Sequence, residues 1–321
     1  MLVLLYVLII VVFLLLAIGG IVFCAACVRR KEYPWHDLDA MKSTPYGKYI
    51  SYISYGSNWI KTHHAKDIYI TSKDGLRLHG LWIPAENPKG TVILAHGYRS
   101  SPLADFAMAY PCYHERAMNI LVPTQRAHGK SEGKLITFGV KESDDMLLWL
   151  QYHNEHLSDC PVIMSGLSMG ASTMLYLADQ QMPDNVKGII ADCGFTSPDK
   201  IIAKVINDTV HFDGRFLLYI AELYARLIGK FSFWEINTCK TLSRGKYPIM
   251  IVHGLADDYV PSEMSREAFE ACSSEKYLLL VEGAEHGISF ICDQERYIEM
   301  IDQFLNKYLL DGGYNYESGL C

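Results

Sequence analysis

Gly166-Leu167-Ser168-Met169-Gly170 sets a serine between two glycines, after the apolar run 161–165 and before the helical pattern 171–177. Such a strand, sharp turn and helix present a serine hydroxyl as a nucleophile, and glycines at 166 and 170 let strand and helix approach closely. A hydroxyl is a poor nucleophile unless a base takes its proton and a third group orients that base. Two later segments supply those groups. His253-Gly254-Leu255-Ala256-Asp257-Asp258-Tyr259-Val260-Pro261 offers the carboxylate of Asp257, with Asp258 beside it as the alternate. Gly283-Ala284-Glu285-His286-Gly287 offers the imidazole of His286. A tetrahedral oxyanion also needs N–H donors, and the backbone groups of Tyr98 and Met169 are expected to provide them, with Gly97 letting the 96–100 loop come close.

These loops need a scaffold that brings them to one place. Beyond Gly90, short apolar runs alternate with longer helical patterns, as expected for a parallel sheet with crossover helices. The strands are expected at 91–95, 119–123, 161–165, 186–191, 248–252 and 276–281. Serine, carboxylate and imidazole each follow a different strand, and catalytic groups on open α/β sheets gather at the C-terminal strand ends. Before this region, 67–71 and 76–84 read as an antiparallel hairpin turned at Lys73-Asp74-Gly75. Ser143 followed by Met146, Leu147, Trp149 and Leu150 predicts one helix, Ser262 opens another, and 293–310 predicts a closing one. The interval between the strands at 186–191 and 248–252 has no strand signal. Phe216, Tyr219, Ile220, Leu223 and Leu227 form an apolar stripe ended by Gly229, which predicts a helical cap at about 195–245, with its inner face on the site it covers.

The front of the chain is of another kind. Residues 1–28 carry no charged side chain, and as a helix they would extend about 42 Å against a hydrocarbon core of about 30 Å. This predicts a single transmembrane helix in the cell membrane. Arg29, Arg30 and Lys31 follow it with no basic side chain before it, which places the remaining chain in the cytoplasm. Residues 29–66, interrupted by Pro34 and Pro45, read as a juxtamembrane linker, 67–310 as the main domain and 311–321 as a C-terminal tail.

Of the 321 residues, 29 are Lys or Arg and 36 Asp or Glu, a formal net charge of −7, which argues against a nucleic-acid partner. Half the residues are hydrophobic, enough for a substantial core. Outside the span, Cys112, Cys160, Cys193, Cys239, Cys272, Cys292 and Cys321 are scattered without pairing pattern and read as reduced thiols. His63-His64 and the pair His153/His156 lack metal-ligand spacing, so no metal site is expected. His96 and His128 read as loop organisers.

Taken together, His96-Gly97, Arg126-Ala127-His128-Gly129-Lys130-Ser131-Glu132-Gly133, the Ser168 turn, His253-Gly254 through Asp257 to Val260-Pro261, and Gly283 to Gly287 resemble the α/β-hydrolase superfamily. Within it the similarity is to the bacterial monoacylglycerol-lipase-like and serine-aminopeptidase-like group. The resemblance implies Ser168 as nucleophile, His286 as general base and then acid, Asp257 as its orienting partner through the D-x-x-V-P pattern, and no cofactor. One departure is Thr124-Gln125-Arg126, where many relatives carry an Asp before the Arg. The expectation is a membrane-anchored serine hydrolase acting on acyl esters or thioesters, small or lipid. A peptidase or acyltransferase would use the same triad. A non-catalytic tethered binding protein would be marked by a missing triad member, and all three positions are filled.

Overall fold

The computed structural model describes residues 1–35, 37–211 and 213–309; the expected tail at 311–321 and the last residue of the 67–310 domain lie outside them. Eight strands form one sheet: β1 (Lys66–Thr71), β2 (Arg77–Ile83), β3 (Gly90–Ala95), β4 (Met118–Pro123), β5 (Val162–Leu167), β6 (Val186–Asp192), β7 (Ile249–Gly254) and β8 (Lys276–Val281). Their spatial order is β1-β2-β4-β3-β5-β6-β7-β8. The opening hairpin and the β2–β4 pair are antiparallel, and every other pair is parallel. The strands therefore stand where hydrophobic runs and turn residues put them. Adjacent residues of one strand feed opposite layers, as the two-residue repeat of a strand requires. Ile93 and Met164 pack in one apolar cluster, Leu94 and Ile163 in the other.

The helices used below are α1 (Leu2–Cys27), α2 (Ile50–Thr62), α3 (Val140–Tyr152), α4 (Met169–Leu175), α5 (Pro198–Val210), α6 (Arg215–Tyr224), α7 (Ser262–Ala271) and α8 (Gln294–Tyr308). Trp149 of α3, Met174 of α4 and Ala268 of α7 cover one face of the sheet, while Ile301, Phe304 and Leu305 of α8 cover the other. Helix α3 begins three residues earlier than Ser143 suggests. The carboxylate of Glu142 is buried and accepts from the N–H of Thr137 (2.8 Å) and of Gly139 (2.9 Å), a capping arrangement that periodicity alone does not reveal.

Two expectations change. The segment read as a linker carries helical turns at Leu38–Met41 and Pro45–Tyr49 and the 13-residue α2. Its Ile53 is buried against Trp35 and Met41, a small apolar cluster of its own. Of the stripe expected to face inward on the cap, Phe216, Tyr219, Leu223 and Leu227 face outward and Ile220 packs on Gly19 of α1. Leu217, Leu218 and Ala221 of α6 point into the body, whereas Tyr219 (68% exposed), Leu223 (44%) and Leu227 (70%) are on the outside. Four apolar residues spaced as Phe216, Tyr219, Leu223 and Leu227 define a face but not its partner; the burial of Leu217, Leu218 and Ala221 is a property of the packed body.

Candidate active site

Ser168 stands between β5 and α4 in a backbone conformation of φ 55°, ψ −118°, a left-handed φ that costs an L-residue energy and is held here by its surroundings. Its own N–H donates to the carbonyl of Asp192 on the neighbouring strand at 2.8 Å. Both glycines of the turn are needed by close approach. A Cβ on Gly166 would run into the carbonyl of Gly170, and one on Gly170 into the carbonyl of Ala95.

The hydroxyl of Ser168 lies 2.9 Å from Nε2 of His286, and Nδ1 of His286 lies 2.6 Å from Oδ2 of Asp257. The serine follows β5, the carboxylate β7 and the imidazole β8, so three parallel strands deliver them to one end of the sheet. Asp257 is buried, and its other oxygen accepts from the N–H groups of Tyr259 (2.9 Å) and Val260 (2.8 Å). Burial pushes its carboxyl up. Hydrogen bonds from His253 and His286, the charge of His286 and the Val260 N–H outweigh that and hold it well below the usual carboxylate range. Asp258 is exposed, and its main-chain carbonyl accepts from Lys204, so of the two adjacent acids only Asp257 reaches the imidazole.

The 96–100 loop faces the serine from the end of β3. A Cβ on Gly97 would come within 3.3 Å of both Ser168 Cβ and Asp105 Oδ2. The N–H groups of Tyr98 and Met169 donate to no acceptor among the described residues, which leaves both available to an oxyanion.

Among the residues that support these loops, His96 and His128 act as the loop organisers expected, while Asp105 escaped the sequence reading. Asp105 accepts from the N–H of Gly97 (2.6 Å) and the hydroxyl of Ser100 (2.5 Å), tying the loop at two points. Burial raises its carboxyl to about 6, with those two donors working against the rise. His128 accepts from the N–H of Arg99 at 3.0 Å through Nε2, and His96 accepts from the N–H of Gln125 at 3.0 Å through Nε2. Burial lowers both imidazoles, His128 to about 4, so both serve as neutral acceptors. In the departure at 124–126, the Gln125 side chain donates to the His96 carbonyl, while Arg126 reaches both oxygens of Asp145 at 2.7 Å. His253 bridges Ser265 (2.6 Å), Asp257 (3.2 Å) and the carbonyl of Val260 (2.9 Å). Its sequence signals are its place four residues before Asp257 and the His253-Gly254 step, neither of which reveals this role. Cys193 is buried beside the triad, where desolvation pushes its thiol up and keeps it protonated.

Above Ser168 lies a cavity of about 570 Å³. Its walls include Leu94, Phe106, Met108 and Ile288, and its roof comes from Arg30 to Tyr33 and from Tyr49, Tyr52 and Ile53. No described residue of 195–245 lines it. The expected cap thus stands beside the site, and the segment that follows α1 covers it. The reason is the docking of α1: its last turn continues into an isolated bridge between Val28 and Leu135. Arg29 donates to the carbonyls of Ser131 (2.8 Å) and Gly129 (2.6 Å), which fixes where the next residues run.

The model of the alpha/beta hydrolase fold matches residues 90–222, from β3 into α6. YqkD of Bacillus subtilis is 26% identical over 239 residues, covering 74% of this chain and 78% of its own length. The yeast membrane protein YNL320W is 25% identical over the same shares of the two chains. Among solved structures, the Pyrococcus furiosus esterase Pf2001 superposes with a TM-score of 0.62 at 24% identity, covering 77% of this chain and 94% of that one. Mouse alpha/beta hydrolase domain-containing protein 10 gives 0.56 at 17%, covering 76% and 99%.

Proposed function

The chain belongs to the α/β-hydrolase superfamily, and from that premise we propose that it is a membrane-anchored serine hydrolase that cleaves carboxylic esters or thioesters through an acyl-enzyme on Ser168. The observation that carries the reading is the continuous relay Ser168 to His286 to Asp257, at 2.9 and 2.6 Å, beside two N–H groups without acceptors.

In this mechanism Ser168 Oγ attacks the substrate carbonyl carbon as its proton passes to Nε2 of His286. The oxyanion that forms is met by the N–H groups of Tyr98 and Met169. Asp257 keeps the Nδ1–H tautomer in place and stabilises the imidazolium without taking its proton. When the carbonyl re-forms, the alcohol or thiol leaves with the proton of His286, and the acyl group stays on Oγ. Water then gives a proton to His286 as its oxygen bonds to the acyl carbon; Oγ leaves with that proton, and the carboxylic acid is released. The buried histidines His96 and His128 hold loops and transfer no proton.

The ester class is supported by the likeness to an esterase and by the largely apolar cavity above the serine. Anchoring is supported by the apolar α1, long enough to cross a bilayer, and by a yeast relative described as a membrane protein. A cytoplasmic catalytic body is supported by Arg29 to Lys31, which follow α1 with no basic side chain before it.

The test is labelling of the detergent-solubilised full chain with a fluorophosphonate probe, comparing the wild type with Ser168→Ala and His286→Ala. Labelling of the wild type alone is expected. Equal labelling of Ser168→Ala would remove the serine from the mechanism, and a folded wild type that hydrolyses no ester and takes no probe would defeat the proposal.

A further inference from the structure

Helix α6 presents apolar residues on its inner and its outer face, with Arg215 and Glu222 on the side between them. Leu217, Leu218 and Ala221 fill the body, Ile220 and Tyr224 lie along α1, and Tyr219, Leu223, Leu227 and Ile228 are exposed. An exposed apolar face of this size needs a partner, either a protein surface or a membrane. Its neighbour identifies which.

Helices α1 and α6 are in close contact. Gly19 admits the Ile220 side chain where any Cβ would collide, the hydroxyl of Tyr224 donates to the Leu16 carbonyl at 2.9 Å, and the rings of Phe23 and Tyr224 stack at 6.1 Å. Small residues that let two helices approach in this way are a recurrent feature of packing inside bilayers. The depth follows from length. The 26 residues of α1 rise about 39 Å, and a hydrocarbon core of about 30 Å leaves at most about 9 Å, or about six residues, standing clear at one end. Leu16 and Gly19 therefore stay within the hydrocarbon, and the part of α6 that touches them is there as well.

We infer that the outer face of α6 and the turn after it, formed by Tyr219, Leu223, Leu227 and Ile228, is a second membrane-embedded surface whose partner is bilayer hydrocarbon. This rests on the reading of α1 as a membrane span. The catalytic body is then seated in one leaflet by two elements, instead of hanging from a single helix. Arg215, Arg226 and Lys230 flank the face, Arg215 paired with Asp213 (2.6 Å) and Arg226 with Glu222 (2.6 Å). Arg30 lines both the groove between α1 and α6 and the cavity above Ser168.

The experiment uses the full chain in nanodiscs loaded at one chain per disc, so that no second copy covers the face. The probe is phosphatidylcholine carrying a diazirine at the acyl terminus, and adducts are mapped by mass spectrometry after irradiation. Adducts are expected in residues 2–27 and also in 215–230. Adducts in 2–27 alone would overturn the inference and leave the anchor standing, pointing to a protein partner for the α6 face. Adducts in neither region would overturn the anchor and the inference together. Replacing two exposed side chains, Tyr219→Lys with Leu223→Lys, is expected to lower the 215–230 adducts at least about tenfold while those in 2–27 persist. Unchanged 215–230 adducts in that variant would also count against embedding.

Discussion

The phenolic hydroxyl of Tyr98 donates to the main-chain carbonyl of Ala26 at 2.6 Å. Tyr98 is also the residue whose N–H we propose as an oxyanion donor, so on that reading the last turn of the apolar helix holds the loop that the reaction depends on. Arg99 adds a second tie, donating to the carbonyls of Ala25 (2.7 Å) and Val28 (3.1 Å), which are among those a helix end leaves without intrahelical donors.

Tyr98→Phe removes this tie and keeps the backbone donor. A net hydrogen bond is worth about 1 kcal/mol, so kcat toward an ester in reconstituted lipid is expected to fall by up to about fivefold with KM little changed. Steady-state kinetics checks it. A variant that raised KM alone would place the tyrosine in substrate binding and not in loop positioning.

Asp257→Asn keeps the geometry of the acid but favours the wrong tautomer of His286, with an expected loss in kcat of about 10³- to 10⁴-fold. Asp258→Asn, at the exposed neighbouring position, is expected to leave kcat essentially as it was. Comparable losses in both would mean that the acid in the relay is not the one that touches the imidazole.

Gly170→Ala tests the strand-to-helix turn through folding and not through chemistry. The new methyl would meet the Ala95 carbonyl, an atom fixed in the central strand β3. Forced overpacking of this kind is expected to cost about 3 kcal/mol or more. Thermal unfolding of the purified variant reads this directly, and a wild-type melting temperature would contradict so close an approach.

Asp105 gives a pH dependence with a definite sign. Its folded pKa of about 6 lies above the ordinary 3.8, so folding favours its protonated form. Its contribution to stability is complete below the unfolded value, declines as pH rises toward about 6 and is flat beyond. The melting temperature of the wild type relative to Asp105→Asn is therefore expected to drop between about pH 4 and 6. Asp257, held low, acts oppositely: its stabilisation is present above the unfolded carboxylate value and is lost on acidification, but it is common to both proteins and cancels in the difference. A difference that stays level over that interval would show that Asp105 titrates normally.

What sequence alone determined about this protein is whatever a local pattern can carry. Strands β3 to β8 end within two residues of where hydrophobic runs and turn residues put them, because a strand buried on both faces must be apolar throughout. The serine turn is legible for a related reason: Gly166 and Gly170 are demanded by backbone approach within one short segment. Tertiary structure decided what depends on residues far apart in the chain. Asp257 and not Asp258 meets His286 because the loop after β7 turns around the Asp257 carboxylate, which accepts from the N–H groups of Tyr259 and Val260, and leaves Asp258 exposed. Asp105 and His253 became visible as supports, and the partners of His128 were identified, only once the fold brought them together. The face of α6 was the largest reversal. Its spacing is the same whether the outer residues meet a core, a lid or lipid, and only the packing of Leu217, Leu218 and Ala221 inward, with Ile220 on Gly19 of α1, decides which residues are left outside.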